Sequence, residues 1–148
     1  MRFYDAGFPL IVAISEADFG DDEQRSMEEG FEGYFARGDR YAMLWTQPRR
    51  GRLPGLRERA RIGAWISHPR VRDFTKRLCV GAAAVVPNAI MRGALSAIMM
   101  VGKPPTPFSP VSSAEEGLDY CLARISDAGL LLPRPEALIR FEALRAIG

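Results

Sequence analysis

The chain has 148 residues and a formal net charge of +2, with 26% charged and 47% apolar residues. These fractions are typical of a globular domain and exclude wholesale disorder, and the length favours one domain with its own core. A single His and two Cys argue against a His-rich metal site, a zinc ribbon and a disulfide scaffold, so we expect no metal and no cofactor. Cys79 and Cys121 carry no pairing signature and are predicted to be buried free thiols of a cytoplasmic protein.

Targeting and membrane segments are not predicted. Acidic residues flank the apolar run 8–15 on both sides, and no small-residue cleavage site follows it. The stretch 80–101 is the best candidate for a membrane span, but Pro87, Asn88 and Arg92 interrupt it. We therefore expect a strand, a turn and a helix there, and no transmembrane segment.

The first half of the chain alternates short apolar runs with helical patterns. Residues 2–4 and 8–15 predict two strands joined by a hairpin turn or by a longer loop, and residues 41–45 predict a second buried strand. A loop is expected at 47–55, followed by a helix from Leu56 that Pro69 ends or kinks. That helix carries Ile62, Trp65 and Ile66 on one side, and a further helical stretch follows with Val71, Phe74 and Leu78 inward.

A helix is predicted between the first two buried strands. Asp21 or Asp22 can accept hydrogen bonds from its first backbone N–H groups, and Gly38 is a natural stop. Gly30 and Gly33 either weaken this helix or allow it to approach the sheet closely. Its predicted inward face consists of Met27, Phe31, Tyr34 and Phe35.

The second half continues the alternation. Residues 80–86 predict a third buried strand, and Asn88 can cap the helix that follows. Residues 104–108 predict a short edge strand, and residues 113–116 form a capping box. Helical spacing predicts three inward faces: Ile90, Met91, Ala94, Leu95, Ile98 and Met99; Leu118, Cys121, Leu122 and Ile125; and Leu138, Phe141, Leu144 and Ile147.

This order of elements predicts an α/β fold with one mostly parallel sheet of four or five strands covered by helices. The α/β domain is expected to take residues 1–132, and residues 133–148 add a C-terminal amphipathic helix. The apolar stripe of that helix must be buried, either on its own domain or against a dimer or partner groove.

Four motifs in the second half resemble a known family. They are the strand 80–86, the helix segment 91–95, the edge strand ending at Pro107 and Phe108, and the opening 113–118 of the next helix. Together with the element order over residues 8–125 they resemble the STAS-like fold of anti-sigma-factor antagonists. They resemble more closely the small bacterial proteins grouped with CRAL-TRIO lipid carriers on that fold. The resemblance implies a non-catalytic regulatory or scaffolding module that binds a protein partner or, alternatively, a carrier of a small apolar or lipid-like ligand.

One departure from that resemblance concerns phosphorylation. Phosphorylated antagonists place an Asp-Ser-Ser-Gly-like turn after the strand that corresponds to 41–45 here. This chain has no serine at that place, and Thr46 is its only hydroxyl there. A phosphoserine switch therefore does not carry over.

Motifs for catalysis are missing from the sequence. The lone His68 adjoins Pro69 and reads as a surface or helix-terminal residue, and no Gly-x-Ser-x-Gly elbow is present. Gly102 and Lys103 do not form a phosphate-binding loop, because the motif needs a second glycine five residues earlier and that position holds Ala97. We therefore predict that the protein is not an enzyme.

The charges are sorted into two blocks. Residues 16–32 contain eight acidic residues and one arginine, a balance of −7, whereas residues 49–77 contain ten basic and two acidic residues, a balance of +8. Three interpretations stay open. The blocks are solvated helix faces that attract each other, or the arginine loop, formed by Arg49, Arg50 and Arg52, binds an anionic partner, or the basic block binds nucleic acid. Nucleic acid is the least favoured, since the arginine loop has no aromatic residue for stacking.

Two candidate sites follow. The first is a partner-binding surface at the carboxyl ends of the strands, where ligands and partners of open α/β sheets tend to meet. Its predicted members are Thr46, Gln47, Arg49, Arg50, Arg52 and Asn88. The second is an apolar pocket lined by Trp45, Trp65, Met91 and Met99. The expected partner is another protein or a second copy of the chain, and a small apolar or lipid-like ligand is the alternative.

Overall fold

A computed structural model describes residues 1–15, 20–46 and 56–148, without the side chains at positions 58, 59, 98, 99 and 102. Within these residues the chain forms five strands and six helices. In chain order they are β1 (Arg2–Tyr4), β2 (Leu10–Ile14), α1 (Asp21–Arg37), β3 (Tyr41–Thr46), α2 (Leu56–Ser67), α3 (Pro69–Leu78), β4 (Cys79–Val85), α4 (Ala89–Gly102), β5 (Phe108–Val111), α5 (Ala114–Asp127) and α6 (Glu136–Ile147).

The strands form one sheet in the order β1-β2-β3-β4-β5. β1 pairs with β2 antiparallel, and the other three pairings are parallel. The predicted α/β class, the mostly parallel sheet, the hairpin and the added C-terminal helix are all confirmed. Helices α1, α2 and α3 contribute to the core on one face of the sheet, and α5 and α6 to the core on the other.

The face under α5 and α6 is a closed core. Leu10, Val12 and Ile14 of β2 point into it, and the next strands add Ala42, Leu44, Val80 and Ala83. The predicted inward face of α5 is confirmed, because Leu118, Cys121, Leu122 and Ile125 are all buried there. Gly117 allows the close approach, since a Cβ at that position would lie 2.4 Å from a methyl of Leu44.

Two predicted helix caps are present. The Asn88 side chain accepts a hydrogen bond from the Met91 N–H at 3.1 Å and so caps α4. Ser113 caps α5 by accepting from the Glu116 N–H at 3.2 Å. The Glu116 carboxylate reaches one residue further back than a standard capping box, where it accepts from the N–H and hydroxyl of Ser112 at 2.7 Å. The hydrogen bonds to Ser112 lower the pKa of Glu116.

One predicted cap and one predicted boundary were wrong. Helix α1 begins at Asp21, as the sequence predicts, but its N-cap is Gly20 and no side chain caps it. The Asp21 carboxylate pairs with Arg61. The edge strand is residues 108–111 and not 104–108. The prolines at 104, 105 and 107 have no N–H to donate, so this stretch does not form a regular ladder with β4. Isolated hydrogen bonds join the two, such as the one that the Ala82 N–H donates to the Pro107 carbonyl.

Two predicted inward faces also need correction. In α6 the buried residues are Ile139 and Ala143, while Phe141 is 62% exposed. Leu144 and Ile147 still pack against the closed core. In α4 no described side chain is buried, and Ile90 is 85% exposed. Spacing shows only that a helix has an apolar side, and the neighbouring elements decide which part of it is covered.

The two charge blocks attract each other across the helices. Arg70 of α3 binds the Glu32 carboxylate of α1 in a two-pronged contact, with one N–O distance of 2.7 Å. Arg61 of α2 pairs with Asp21 at the start of α1. Among the described residues, the interpretation of mutually attracting helix faces therefore holds for these pairs.

The segment 80–101 divides into strand β4 and helix α4, as expected. Among the described residues there is no helix of the length and apolarity that crossing a membrane requires. Cys79 and Cys121 are both buried free thiols.

Candidate functional site

An apolar groove of about 560 Å³ lies on the sheet face that α1, α2 and α3 partly cover. Its floor is formed by alternate residues of β3, namely Tyr41, Met43 and Trp45, and by Cys79, Ala82 and Ala84 of β4, where the strand pairing is irregular next to Tyr41. Helices α2 and α3 form one wall, and residues 104–108 contribute the other. The volume falls in the range of about 300–1,000 Å³ typical of small-molecule sites.

The groove exists because of two local features. Ala82 and Ala84 carry only methyl groups, so the sheet surface is low at their part of the floor. Helix α4 connects β4 to β5, yet none of its described side chains lines the groove. The described part of α4 therefore does not cover the sheet surface beside α2 and α3.

An aromatic cluster forms one side of the groove. Trp45 stacks on Phe31 with ring centroids 5.4 Å apart, and Trp65 meets the same ring edge-on at 4.9 Å. Both tryptophans of the chain line the groove. Large, rigid rings of this kind supply much apolar contact area to a ligand.

The few polar groups of the groove are mostly engaged. The Thr106 hydroxyl donates to the Cys79 carbonyl at 2.6 Å, and the Cys79 thiol donates weakly to the Gly81 carbonyl at 3.4 Å. Burial raises the pKa of Cys79 to about 11, so the thiol is neutral near pH 7 and is a poor nucleophile. The Tyr41 hydroxyl is buried and has no hydrogen-bond partner among the described residues.

The predicted pocket residues are only partly brought together. Trp45 and Trp65 line the groove. Met91 is half-buried and lies outside it. The Met99 side chain lies outside the described part of the structure. Among the described residues, the groove opens beside α2 and α3, and the described side chains of α4 do not line it.

The predicted partner-binding residues are also separated. Thr46 is 6% exposed and lines the groove, whereas Asn88 is exposed and caps α4. Trp45 pairs with Ala84 in the parallel sheet, so β3 and β4 end at the same edge of the sheet. Gln47, Arg49, Arg50 and Arg52 lie outside the described residues, and their role in binding stays a prediction.

Sequence reasoning missed most of the floor of the groove. Tyr41, Met43 and Trp45 share a face because side chains alternate along a strand, and the alanine run at 82–84 indicated an uncrowded surface. Those signals were present. Nothing in the sequence, however, showed that the described side chains of α4 would stay off this surface.

Acid–base and metal chemistry have little basis in this part of the chain. His68 is exposed and caps α3, where its Nδ1 accepts from the Arg70 N–H at 3.3 Å. Within residues 1–15, 20–46 and 56–148, no group of three or more His, Cys, Asp and Glu side chains could hold a metal ion.

Comparison of the chain with family models, curated proteins and solved structures gave no match. The resemblance to STAS-like and CRAL-TRIO proteins therefore stays a prediction made from the residues.

Proposed function

We propose that this protein is a non-catalytic module that binds a small, mainly apolar molecule in the groove. The observation that carries the proposal is the open alanine floor beside two tryptophans. Transfer of apolar ligand surface from water to such a site is favourable by about 25 cal/mol per Å² buried.

The composition of the groove supports an apolar ligand over an ionic one. Its floor and aromatic wall carry no charged side chain, and Arg72 has the single charged side chain among the described residues that line it. An ion buried against this floor would lose its hydration without a partner of opposite charge. A carrier or sensor of an apolar compound fits this surface.

Intrinsic fluorescence tests the proposal directly, because both tryptophans line the groove. We expect titration with apolar compounds of increasing length to shift or quench the tryptophan emission in a saturable way. Native mass spectrometry of gently purified protein should also show a bound species of defined mass. The proposal would be contradicted if the emission did not saturate at any accessible concentration and the mass spectrum showed only the chain itself.

A blocking variant and its matched control sharpen this test. Ala84→Phe fills the groove floor next to Trp45 and should abolish the saturable response. Ala123→Phe makes the same change at an exposed position on α5, which packs on the opposite face, and should leave the response intact. Circular dichroism of both variants checks that they are folded.

A second candidate function is self-association through α4. Three of its large apolar side chains, Ile90, Met100 and Val101, are more than four-fifths exposed. Large exposed apolar patches often mark a protein contact. We propose a second copy of the chain as the partner that covers it.

Sedimentation velocity tests this second candidate. We expect a dimer that dissociates on dilution, and Val101→Asp should make the protein monomeric. Leu131→Asp, at an equally exposed apolar residue after α5, is the matched control and should leave the dimer intact. A monomer at every concentration would remove this candidate without affecting the groove.

A further inference from the structure

Helix α3 gives the wall of the groove a graded polarity. The α3 residues that line the groove are Val71, Arg72 and Thr75. Val71 is 5% exposed, Thr75 is half-buried and Arg72 is exposed to solvent. This wall is therefore apolar where it is buried and cationic where it meets water.

Arg72 differs from the other two arginines of α3, because each of those has a carboxylate partner. Arg70 binds Glu32 with one N–O distance of 2.7 Å, and Arg77 donates to Asp73 at 3.0 Å. The Arg72 side chain has no hydrogen bond or salt bridge with any described residue. The described residues that line the groove also include no Asp or Glu. The Arg72 guanidinium is therefore accessible to an anion carried by a ligand.

Building on the proposed function, we infer that the ligand is an amphiphile with an apolar chain on the alanine floor and one carboxylate that pairs with Arg72 at the rim. An arginine stem can lie along apolar surface while its guanidinium stays in water, so this side chain suits the edge of an apolar groove. The planar guanidinium can donate two parallel hydrogen bonds to a carboxylate. An alkyl carboxylate thus complements both the buried and the exposed part of the wall.

The position of the charge agrees with the apolar floor. A carboxylate on the floor would lose its hydration without a counter-ion, whereas at Arg72 it keeps water on its open side and gains a cation. The terminal ammonium of Met1, another residue that lines the groove, already pairs with Glu23. A cationic head group would be repelled by Arg72, and a neutral one would gain no ion pair.

Two compounds of nearly equal shape test the inference at pH 8. Decanoate carries the carboxylate, and decanamide replaces it with a neutral amide of similar size. Tryptophan fluorescence gives a Kd for each compound with the wild-type protein and with Arg72→Gln. We expect the substitution to weaken decanoate relative to decanamide by about 3- to 10-fold, the effect of one partly exposed ion pair with hydrogen bonds.

Lys76→Gln is the matched control, because it removes an exposed cation of the same helix that does not line the groove. It should leave the ratio of the two Kd values unchanged. Added sodium chloride should weaken decanoate binding to the wild-type protein, since salt screens an exposed pair, and should have no such effect with Arg72→Gln. Because the Arg72 side chain is exposed and has no described partner, both variants should keep the wild-type thermal midpoint.

A second readout reports the head group itself. The carboxyl carbon of ¹³C-labelled decanoate follows the protonation of the bound ligand as the pH is lowered. A neighbouring guanidinium favours the charged carboxylate, so the pKa of the bound carboxyl should be lower in the wild-type complex than in the Arg72→Gln complex.

The outcomes separate the two levels of the proposal. Binding of neither compound overturns the proposed function and the inference with it. Binding of decanamide alone, or a Kd ratio that Arg72→Gln leaves unchanged, overturns the inference and leaves the apolar groove in place. A ratio that Lys76→Gln changes as much as Arg72→Gln, or an equal carboxyl pKa in the two complexes, overturns the inference in the same way.

Discussion

The two faces of the sheet use the same five strands in different ways. On the face under α5 and α6, side chains from four strands meet two helices, and the core is closed. On the face under α1, α2 and α3, the core is dense around Phe31 and Phe35 but opens into the groove over Ala82 and Ala84. A single strand, β4, contributes small residues to both faces.

The difference shows that small residues do not by themselves make a cavity. On the closed face Ala83 is fully buried, because Gly117 allows α5 to approach within contact of the strands. On the open face no described side chain of α4 comes down onto Ala82 and Ala84. Packing density therefore depends on the helix above the strand as much as on the strand.

Truncation of core residues should separate the two faces most strongly. Leu118→Ala removes a fully buried side chain from the closed face and should lower the free energy of unfolding by about 2–5 kcal/mol. Ile62→Ala, in the half-buried groove wall, should cost less than about half of that, because solvent can fill the space. Urea unfolding of both variants measures the difference, and equal losses would show that the groove is closed in solution.

Two glycines of α1 test how closely this helix packs on the open face. A Cβ at Gly30 would lie 2.2 Å from the Phe3 ring, so Gly30→Ala should destabilise the protein by about 1–3 kcal/mol. At Gly33 a Cβ meets nothing within 4 Å, so Gly33→Ala should stabilise it by about 0.5–1 kcal/mol. Thermal unfolding compares the two, and the same sign for both would refute the packing of α1 on β1.

Thiol reactivity should also distinguish the faces. Burial raises the pKa of Cys79 to about 11 and that of Cys121 to about 12, so both thiols should react slowly with iodoacetamide at pH 8. Cys79 lines the groove and should be alkylated first, whereas Cys121 should react only when the closed core opens. Peptide mass mapping over time gives the order, and earlier labelling of Cys121 would reverse the comparison.

The same pKa shifts give the sign of an alkaline effect. Folding holds both protons more tightly than the unfolded chain does. The stabilisation is therefore complete below the unfolded thiol pKa of about 8.5 and is lost as the pH rises toward the folded values. Cys121→Ala should reduce this alkaline loss, which unfolding experiments at pH 7 and pH 10 measure.

The smallest effect is expected at the surface pair that joins α1 to α3. The hydrogen bond from Arg70 lowers the pKa of Glu32. The stabilisation that this pair gives to the folded state is thus present above the unfolded carboxyl pKa of about 4.3, and it is lost as the pH falls through the folded pKa of Glu32. Glu32→Gln should slightly reduce the fall in the free energy of unfolding as the pH is lowered. The reduction is small because exposed ion pairs contribute little to stability.

Glu29→Gln is the control for that measurement. It removes an exposed carboxylate of the same helix that forms no salt bridge with a described residue. Identical acid curves for the two variants would show that the pair with Arg70 does not form in solution.

The sequence predicted the element order and most of the core well, because both depend on residues that are close together in the chain. Runs such as 41–45, and repeats such as Leu118, Cys121, Leu122 and Ile125, depend on near-neighbour periodicity, which the chain itself encodes. The caps at Asn88 and Ser113 were predictable for the same reason.

The candidate site was predicted less completely. Trp45 and Trp65 were identified, but Met91 lies outside the groove and Tyr41 was not noticed as a polar group. Helical spacing put Ile90 and Phe141 on apolar stripes, yet both are exposed. An apolar stripe is wider than the surface that a neighbouring element covers, so spacing cannot choose among its members.

The sequence alone determined the α/β class, the parallel core strands, the helix caps and the sorted charges, because each follows from residues close together in the chain. The tertiary structure decided which face of the sheet is closed, where the groove lies and that the Tyr41 hydroxyl has no acceptor among the described residues. Those properties depend on contacts between distant elements, and a one-dimensional pattern does not specify how closely two such elements approach.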